Sequence, residues 1–167
     1  MKRKNIILTG LVILLAGMMT ATIAFADGRD DLTDVRSATK HLQSPEKAVK
    51  AGWGLVPGLD HCFENPGVGA MGYHYINTDL LDTRLNRNRP EAMVFATGAD
   101  GQLEFVAVEY IVPIQAWEEA EIAGVPQLYG RDFHRNDTLG VYVLHAWIGK
   151  DNPAGLFADW NPLVTCP

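Results

Sequence analysis

The sequence predicts an α+β fold in which one or two N-terminal helices pack on a mainly antiparallel, curved or barrel-like sheet. Apolar residues recur at helical intervals in region 30–52, whereas apolar and polar residues alternate in several runs beyond residue 70. The glycine-containing segment 98–101 separates two such runs and predicts a hairpin, which indicates antiparallel pairing. An all-β sandwich is the alternative fold.

The first 26 residues are predicted to be a secretory signal peptide. Lys2, Arg3 and Lys4 precede an apolar stretch, and Ala24-Phe25-Ala26 forms an A-x-A cleavage site before the polar segment 27–31. An uncleaved membrane anchor is the alternative, since the apolar stretch approaches the length of a membrane span. Cleavage leaves residues 27–167 as a single globular domain, periplasmic or secreted, without stable membrane insertion.

The charge of the mature chain limits its partners. The formal net charge of the whole sequence is −6, and removal of the three cations in the signal peptide changes it to −9. Phosphate binding needs clustered cations, so the balance argues against nucleic acid and anionic membranes as partners. A metal ion or a small molecule is the expected partner. The sequence does not determine the oligomeric state.

The only two cysteines, Cys62 and Cys166, are predicted to form a disulfide because the chain enters an oxidising compartment. A bond that closes so long a loop is expected to stabilise the fold by about 4–5 kcal/mol. The alternative is a reactive thiol or a metal thiolate, with His61 beside Cys62 as its partner.

Two helices are expected near the N-terminus of the mature chain. Helical spacing relates four apolar residues of the first helix, which are Leu32, Val35, Ala38 and Leu42. Ser44-Pro45-Glu46 is a start signal for a second helix over residues 45–51. The region 52–72 is rich in glycine and proline and is predicted to be an ordered connection.

Four strands are predicted, and they are 70–77, 92–96, 103–112 and a strand within 141–150. In the first strand, alternation places His74 on the face opposite Met71, Tyr73 and Tyr75. In the third strand, Glu109 is the only charged member of a row that includes Leu103, Phe105, Ala107 and Ile111. In the last strand, His145 shares a face with Val141, Val143 and Trp147.

Shorter elements fill the rest of the chain. Residues 115–123 are predicted to form a helix that places Trp117 and Ile122 in the core. Residues 131–138 are predicted to be a charged loop containing His134. The C-terminal tail is expected to dock on the core through Phe157 and Trp160.

His74, Glu109 and His145 form the candidate metal site. Two neutral imidazoles and a carboxylate suit zinc, iron, copper or another divalent transition metal, and three protein ligands leave coordination positions for water or substrate. The ligands are separated by 35 and 36 residues and form no local motif, so only the fold can bring them together. His61 and His134 are possible additional ligands.

Two other interpretations of these residues remain open. The histidines could be core residues bonded to backbone or tyrosine, with Glu109 paired to an arginine of the 78–89 loop. Alternatively, Glu109 could orient His145 as a metal-free general base. The sequence contains no G-x-S-x-G nucleophile motif and no phosphate-binding glycine loop.

Three functional classes therefore remain open. The first is a metal-binding protein. The second is an enzyme, either a metal-dependent hydrolase or oxygenase, or a metal-free acid/base catalyst. The third is a non-catalytic ligand- or protein-binding domain with an aromatic surface formed by Tyr73, Tyr75, Trp53 and Trp147.

Several segments also occur in a known family. They are M-G-Y-H-Y-I-N, R-P-E-A-M-V-F, V-A-V-E-Y-I-V-P and L-H-A-W-I-G-K-D-N-P-A-G-L-F-A-D-W-N-P, in this order. Through them, the chain from about Lys40 to its end resembles a family of exported bacterial proteins that has no established activity. The resemblance implies that the segments with His74, Glu109 and His145 are family motifs, and it implies no role for them.

Overall fold

The structure, a computed structural model, describes residues 32–167; the predicted signal peptide lies outside the described residues. Helix α1 spans Thr33–Thr39, a 3-10 helix follows at Lys40–Leu42, and α2 spans Pro45–Lys50. The Ser44 hydroxyl caps α2 by accepting a hydrogen bond from the Lys47 backbone N–H at 3.4 Å. The predicted start of the second helix is therefore confirmed.

The remaining elements are mainly strands: β1 Phe63–Asn65, β2 Gly69–Ile76, β3 Ala92–Thr97, β4 Leu103–Pro113, helix α3 Ile114–Glu119, β5 Gln127–Leu128, β6 Arg131–Asp132, β7 His134–Asn136 and β8 Val141–Ala146. Six strands form one curled antiparallel sheet in the order β1-β2-β3-β4-β8-β7. Strands β5 and β6 form a separate two-stranded ribbon.

The predicted mixed class with a mainly antiparallel, curved sheet is thus confirmed in outline. Among residues 32–167 the strands form one large sheet and one small ribbon, whereas a sandwich needs two large facing sheets. Leu32 and Val35 of the N-terminal segment belong to the same buried cluster as Met93 and Phe95 of β3. Packing of both helices on the sheet as a layer stays a prediction.

A β-bulge in β2 changes which of its side chains share a face. Gly72 pairs with Phe63, and Ala70 pairs with the next residue of β1, so Met71 is the extra residue. Gly72 has a φ of +109°, and a Cβ there would lie 2.3 Å from a backbone oxygen of β3, so only glycine fits. Met71 consequently lines the same cavity as His74. The prediction that these two residues face opposite sides is wrong.

A second bulge divides the row predicted for β4. The register between β3 and β4 shifts at Val94 and Phe95, which leaves Val106 without a direct partner. Phe105 therefore packs against the main core cluster, whereas Glu109, beyond the bulge, lies on the opposite face with His145. The prediction that positions 103 and 105 share a face with Glu109 is wrong.

Two of the shorter elements differ from expectation. Helix α3 ends at Glu119, before the predicted limit, so Ile122 is 39% exposed while Trp117 is buried as predicted. His134 lies in the edge strand β7, paired with Val143 of β8, and not in a loop. Phe157 packs against the main core cluster, as predicted for the tail.

Cys62 and Cys166 form the predicted disulfide, with their Cα atoms 5.6 Å apart. The bond joins the loop before β1 to the penultimate residue of the chain. The alternative of a reactive thiol or a metal thiolate at Cys62 is therefore wrong. Within residues 32–167, no helix has both the length and the apolar character that a membrane span requires.

Candidate metal centre

The three predicted ligands come from three strands of the curled sheet. Glu109 of β4 lies directly opposite His145 of β8, and His74 of β2 lies opposite Val94 of β3. Strands β2 and β8 are three positions apart, which in a flat sheet is about 14 Å. Two imidazole rings on strands that far apart would not touch. Their contact therefore results from the curl of the sheet, and both rings lie on its concave face.

Short distances join the polar atoms of the cluster. Nε2 of His74 lies 3.2 Å from Nε2 of His145 and 3.5 Å from Oε2 of Glu109. Nδ1 of His145 lies 3.3 Å from Oε1 of Glu109. One ligand atom from each residue can be chosen so that all three lie within 4.8 Å of one another.

Two of the three pairs of ligand atoms have the spacing that a single bound ion requires. Two atoms bound to tetrahedral zinc, each about 2.0–2.1 Å from the metal, lie about 3.3 Å apart. The pairs from Nε2 of His74, at 3.2 and 3.5 Å, are close to that value. The group of His74, Glu109 and His145 could therefore hold a metal ion.

The cluster is almost completely removed from solvent, and burial determines its protonation. Burial lowers the pKa of His74 to about 4, which the Gly72 backbone opposes only in part, and it lowers the pKa of His145 well below its ordinary value. Burial, and secondarily the Asp159 and Glu91 carboxylates, raise the pKa of Glu109 to about 8. At neutral pH both imidazoles are thus uncharged, the form in which histidine binds metals.

Hydrogen bonding leaves part of the cluster unsatisfied. The Nδ1 atoms of His74 and His145 are buried and make no hydrogen bond of acceptable geometry to any of the described residues. Buried polar side-chain atoms normally have a partner, so two such atoms in one cluster need an explanation. A bound ion or water that reorients the rings would supply one.

His74 and Glu109 lie side by side in the lining of a mainly apolar cavity of about 320 Å³. His145 is fully buried and does not line this cavity. Apolar side chains form most of the remaining wall, among them Leu59, Phe63, Met71, Ile111, Val143 and Trp160. The cavity therefore gives a small molecule access to two of the three candidate ligands.

His61 and His134, the possible additional ligands, lie outside the ligand cluster formed by the described residues. His61 is exposed and its ring packs on Phe63, with the centroids 4.3 Å apart. His134 is paired with Asp159 through Nδ1 and Oδ2 at 3.1 Å.

Asp159 is the site residue that sequence reasoning missed. Its Oδ1 lies 3.9 Å from Nδ1 of His145, which is close to the candidate ligand but beyond hydrogen-bond distance. The one signal that could have identified it is its position in the tail segment L-F-A-D-W, between two aromatic residues expected to dock.

The geometry argues against an arginine partner for Glu109 and against His145 as a general base. Both histidines face Glu109 and each other, and the charged groups with the largest effect on Glu109 are carboxylates, not an arginine. His145 is 0% exposed, so it is poorly placed to act as a general base on a substrate in the cavity.

The four residues predicted to form an exposed aromatic surface do not form one. Trp53 is 9% exposed, Tyr75 8% and Trp147 2%, so three of its four proposed members belong to the buried core. The prediction that these residues form an exposed aromatic surface is wrong, because their side chains fill the interior on both faces of the sheet.

Comparison of the chain with family models, with curated proteins and with solved structures finds no match. The resemblance to exported bacterial proteins stays a prediction.

Proposed function

We propose that the protein is an exported metal-binding protein whose centre consists of His74, Glu109 and His145. The observation that supports this most is the convergence of three buried ligand-type side chains, with ligand atoms within 4.8 Å of one another. Two imidazole nitrogens and one carboxylate oxygen favour a divalent transition metal, with zinc, iron and copper as the candidates.

The energetics of burial support the same proposal. An isolated carboxylate in an apolar interior costs several kcal/mol, and the protein avoids this cost only by protonation or by pairing. Glu109 is 6% exposed, and its ion-pair partners among residues 32–167 are the neutral imidazoles of His74 and His145, so burial keeps its carboxyl group protonated at neutral pH. A divalent ion would displace the proton and provide the compensating charge.

Export to the periplasm or to the medium is part of the proposal. The disulfide between Cys62 and Cys166 is a bond that persists in oxidising compartments and is rare in the cytosol. The predicted signal peptide accounts for the route. Mass spectrometry of the protein recovered from a periplasmic extract tests this, with a mature chain that begins at Asp27 as the expected result.

Zinc titration in competition with a chromophoric chelator tests the metal site. We expect one zinc per chain for the wild type and no stoichiometric binding for His145→Ala. Glu109→Gln preserves the shape of the side chain and is expected to weaken zinc binding tenfold or more. The matched control is His41→Ala, because His41 is exposed on the 3-10 helix. Unchanged zinc binding in both site variants would contradict the proposal.

A metal-dependent hydrolase or oxygenase is the second candidate function. The apolar cavity favours it, since His74 and Glu109 line the cavity and a three-ligand ion retains open positions there. Hydrolysis of nitrophenyl esters of increasing acyl length by the zinc-loaded protein tests the hydrolase form. Turnover by the wild type that is lost in His74→Ala supports a hydrolase. Stoichiometric zinc binding without turnover contradicts a hydrolase and leaves the metal-binding function.

A further inference from the structure

The cavity at the metal centre is amphipathic, because its mainly apolar lining includes the adjacent polar side chains of His74 and Glu109. Thr78 and Asn136 are the other polar residues in the lining. Among the described residues that line the cavity there is no lysine or arginine. An anionic ligand would therefore find no fixed cation in the wall and would depend on a bound metal for its charge partner.

The volume of the cavity limits the size of its ligand. A space of about 320 Å³ lies at the lower end of the range for small-molecule pockets. At about 30 Å³ per water molecule, it corresponds to about ten water-sized groups. A linear or singly branched molecule of about eight to ten non-hydrogen atoms fits this volume.

Charge balance indicates the head group of that ligand. A divalent ion held by one carboxylate and two neutral imidazoles has a net charge of +1, in a setting where unpaired charge is costly. Asp159, the nearest other acid, is paired with His134 and does not line the cavity. A single anionic oxygen group would fill an open coordination position and neutralise the centre.

We propose that the cavity binds a small monoanionic amphiphile, represented by a medium-chain carboxylate, whose head group coordinates the metal and whose chain lies against the apolar wall. This inference rests on the metal centre proposed above. The chain would contact Met71, Ile111 and Val143, and it would extend toward Leu59 and Leu139. Leu139 is 45% exposed and precedes β8, so it is the lining residue best placed at the entrance.

Isothermal titration calorimetry with octanoate and acetate tests the proposal on the zinc-loaded and metal-free proteins. The two probes share the head group and differ by six methylenes, and each buried methylene contributes about 0.8 kcal/mol in favourable cases. We expect octanoate to bind zinc-loaded protein at least a hundredfold more tightly than acetate. We expect octanoate to bind metal-free protein at least tenfold more weakly than zinc-loaded protein.

Two variants locate the binding in the cavity. Val143→Phe fills part of the cavity, and Leu139→Glu adds a negative charge at its exposed edge without disturbing the core. The matched control is Leu163→Glu, because Leu163 is 57% exposed and lies outside the cavity lining. We expect Leu139→Glu to weaken octanoate binding at least tenfold, with zinc affinity unchanged, and Leu163→Glu to change neither.

The possible failures can be distinguished. Zinc binding with equal affinities for octanoate and acetate overturns the ligand assignment and leaves the metal-binding function intact. Octanoate binding that is equally strong with and without zinc overturns it too, because the head group then does not contact the metal. Equal loss of octanoate binding in Leu139→Glu and Leu163→Glu excludes the cavity. A protein that binds no zinc, iron or copper overturns both proposals.

Discussion

The buried carboxyl group of Glu109 is predicted to lower the stability of the metal-free protein as the pH rises. In the folded protein its pKa is raised to about 8, whereas the ordinary value of 4.5 applies to the unfolded chain. Between these values the folded state binds one more proton than the unfolded state, so a higher pH favours unfolding. The limiting slope is about 1.4 kcal/mol per pH unit.

Substitution of Glu109 by glutamine isolates this effect. As the pH rises from 6.5 to 8, Glu109 is expected to reduce the free energy of unfolding by about 1.5 kcal/mol. This is less than the limiting slope would give, because the carboxyl group ionises fully only above this range. Glu91, whose burial raises its pKa to about 7, and the two histidines also titrate, but they do so in both proteins. The difference between wild type and Glu109→Gln therefore reports on Glu109.

Urea unfolding at 25 °C, with a chelator present, measures this difference at several pH values. We expect the free energy of unfolding of Glu109→Gln, relative to that of the wild type, to rise by about 1.5 kcal/mol between pH 6.5 and pH 8. Glu64→Gln is the matched control, because Glu64 is exposed on β1 and the same substitution there removes no buried carboxyl group. A pH-independent difference between wild type and Glu109→Gln would refute the reasoning.

A bound metal removes this pH dependence. Zinc has to displace the proton of Glu109, so its affinity is expected to rise by up to tenfold per pH unit below pH 8. This gain in zinc binding offsets the loss of stability of the metal-free protein, so the stability of zinc-saturated wild type should not fall through Glu109 between pH 6.5 and pH 8. Thermal unfolding with and without zinc at the two pH values measures the difference.

Three further predictions concern the framework of the site. Gly72→Ala should destabilise the fold by about 2–4 kcal/mol, because its Cβ would meet the β3 backbone at 2.3 Å. Urea unfolding compares it with Gly67→Ala, which also has a positive φ but no atom within 4 Å and should lose about 1–2 kcal/mol. Replacing Cys62 and Cys166 by serine should cost about 3–5 kcal/mol, measured in the same way. Asp159→Asn should weaken zinc binding about tenfold in the chelator competition, because the Asp159 carboxylate, 3.9 Å from Nδ1 of His145, favours a cation in the centre through its negative charge.

Each of these predictions has a contradicting result. Equal losses for the two glycine variants would mean that the close approach at Gly72 does not constrain the bulge. A serine variant as stable as the wild type would mean that closing the long loop contributes nothing. Unchanged zinc affinity in Asp159→Asn would place Asp159 outside the metal centre, as a surface partner of His134 alone.

The parts of the fold that the sequence predicts are those with local physical causes. The capping serine and the proline after it specify the start of α2, and strand alternation identifies β2, β3, β4 and β8. The disulfide could be predicted because two cysteines in an oxidising compartment can pair in only one way.

The bulges could not be predicted because they depend on contacts between strands. A strict period of two places Met71 opposite His74 and Phe105 with Glu109, and one extra residue in each strand reverses both assignments. Gly72 is the only local signal, since a glycine inside a strand is typical of a bulge. At Val106 the sequence contains no such signal.

The cluster itself was predictable in composition but not in geometry. Glu109 is identified by its position in an apolar row, and the two histidines by their positions in strands. Their convergence depends on the curl of the sheet, which a single sequence does not specify. Asp159 was missed because it reaches the site from an irregular tail that has no period to interpret.

The most direct test of the central claim is the metal content of the mature protein, purified from the periplasm without chelators or an affinity metal. Elemental analysis should find one transition metal ion per chain in the wild type and in His41→Ala, and none in His145→Ala. A protein that contains no metal, and takes up no zinc, iron or copper on titration, would contradict the account. Glu109 would then be a protonated structural carboxyl group hydrogen-bonded between two core histidines.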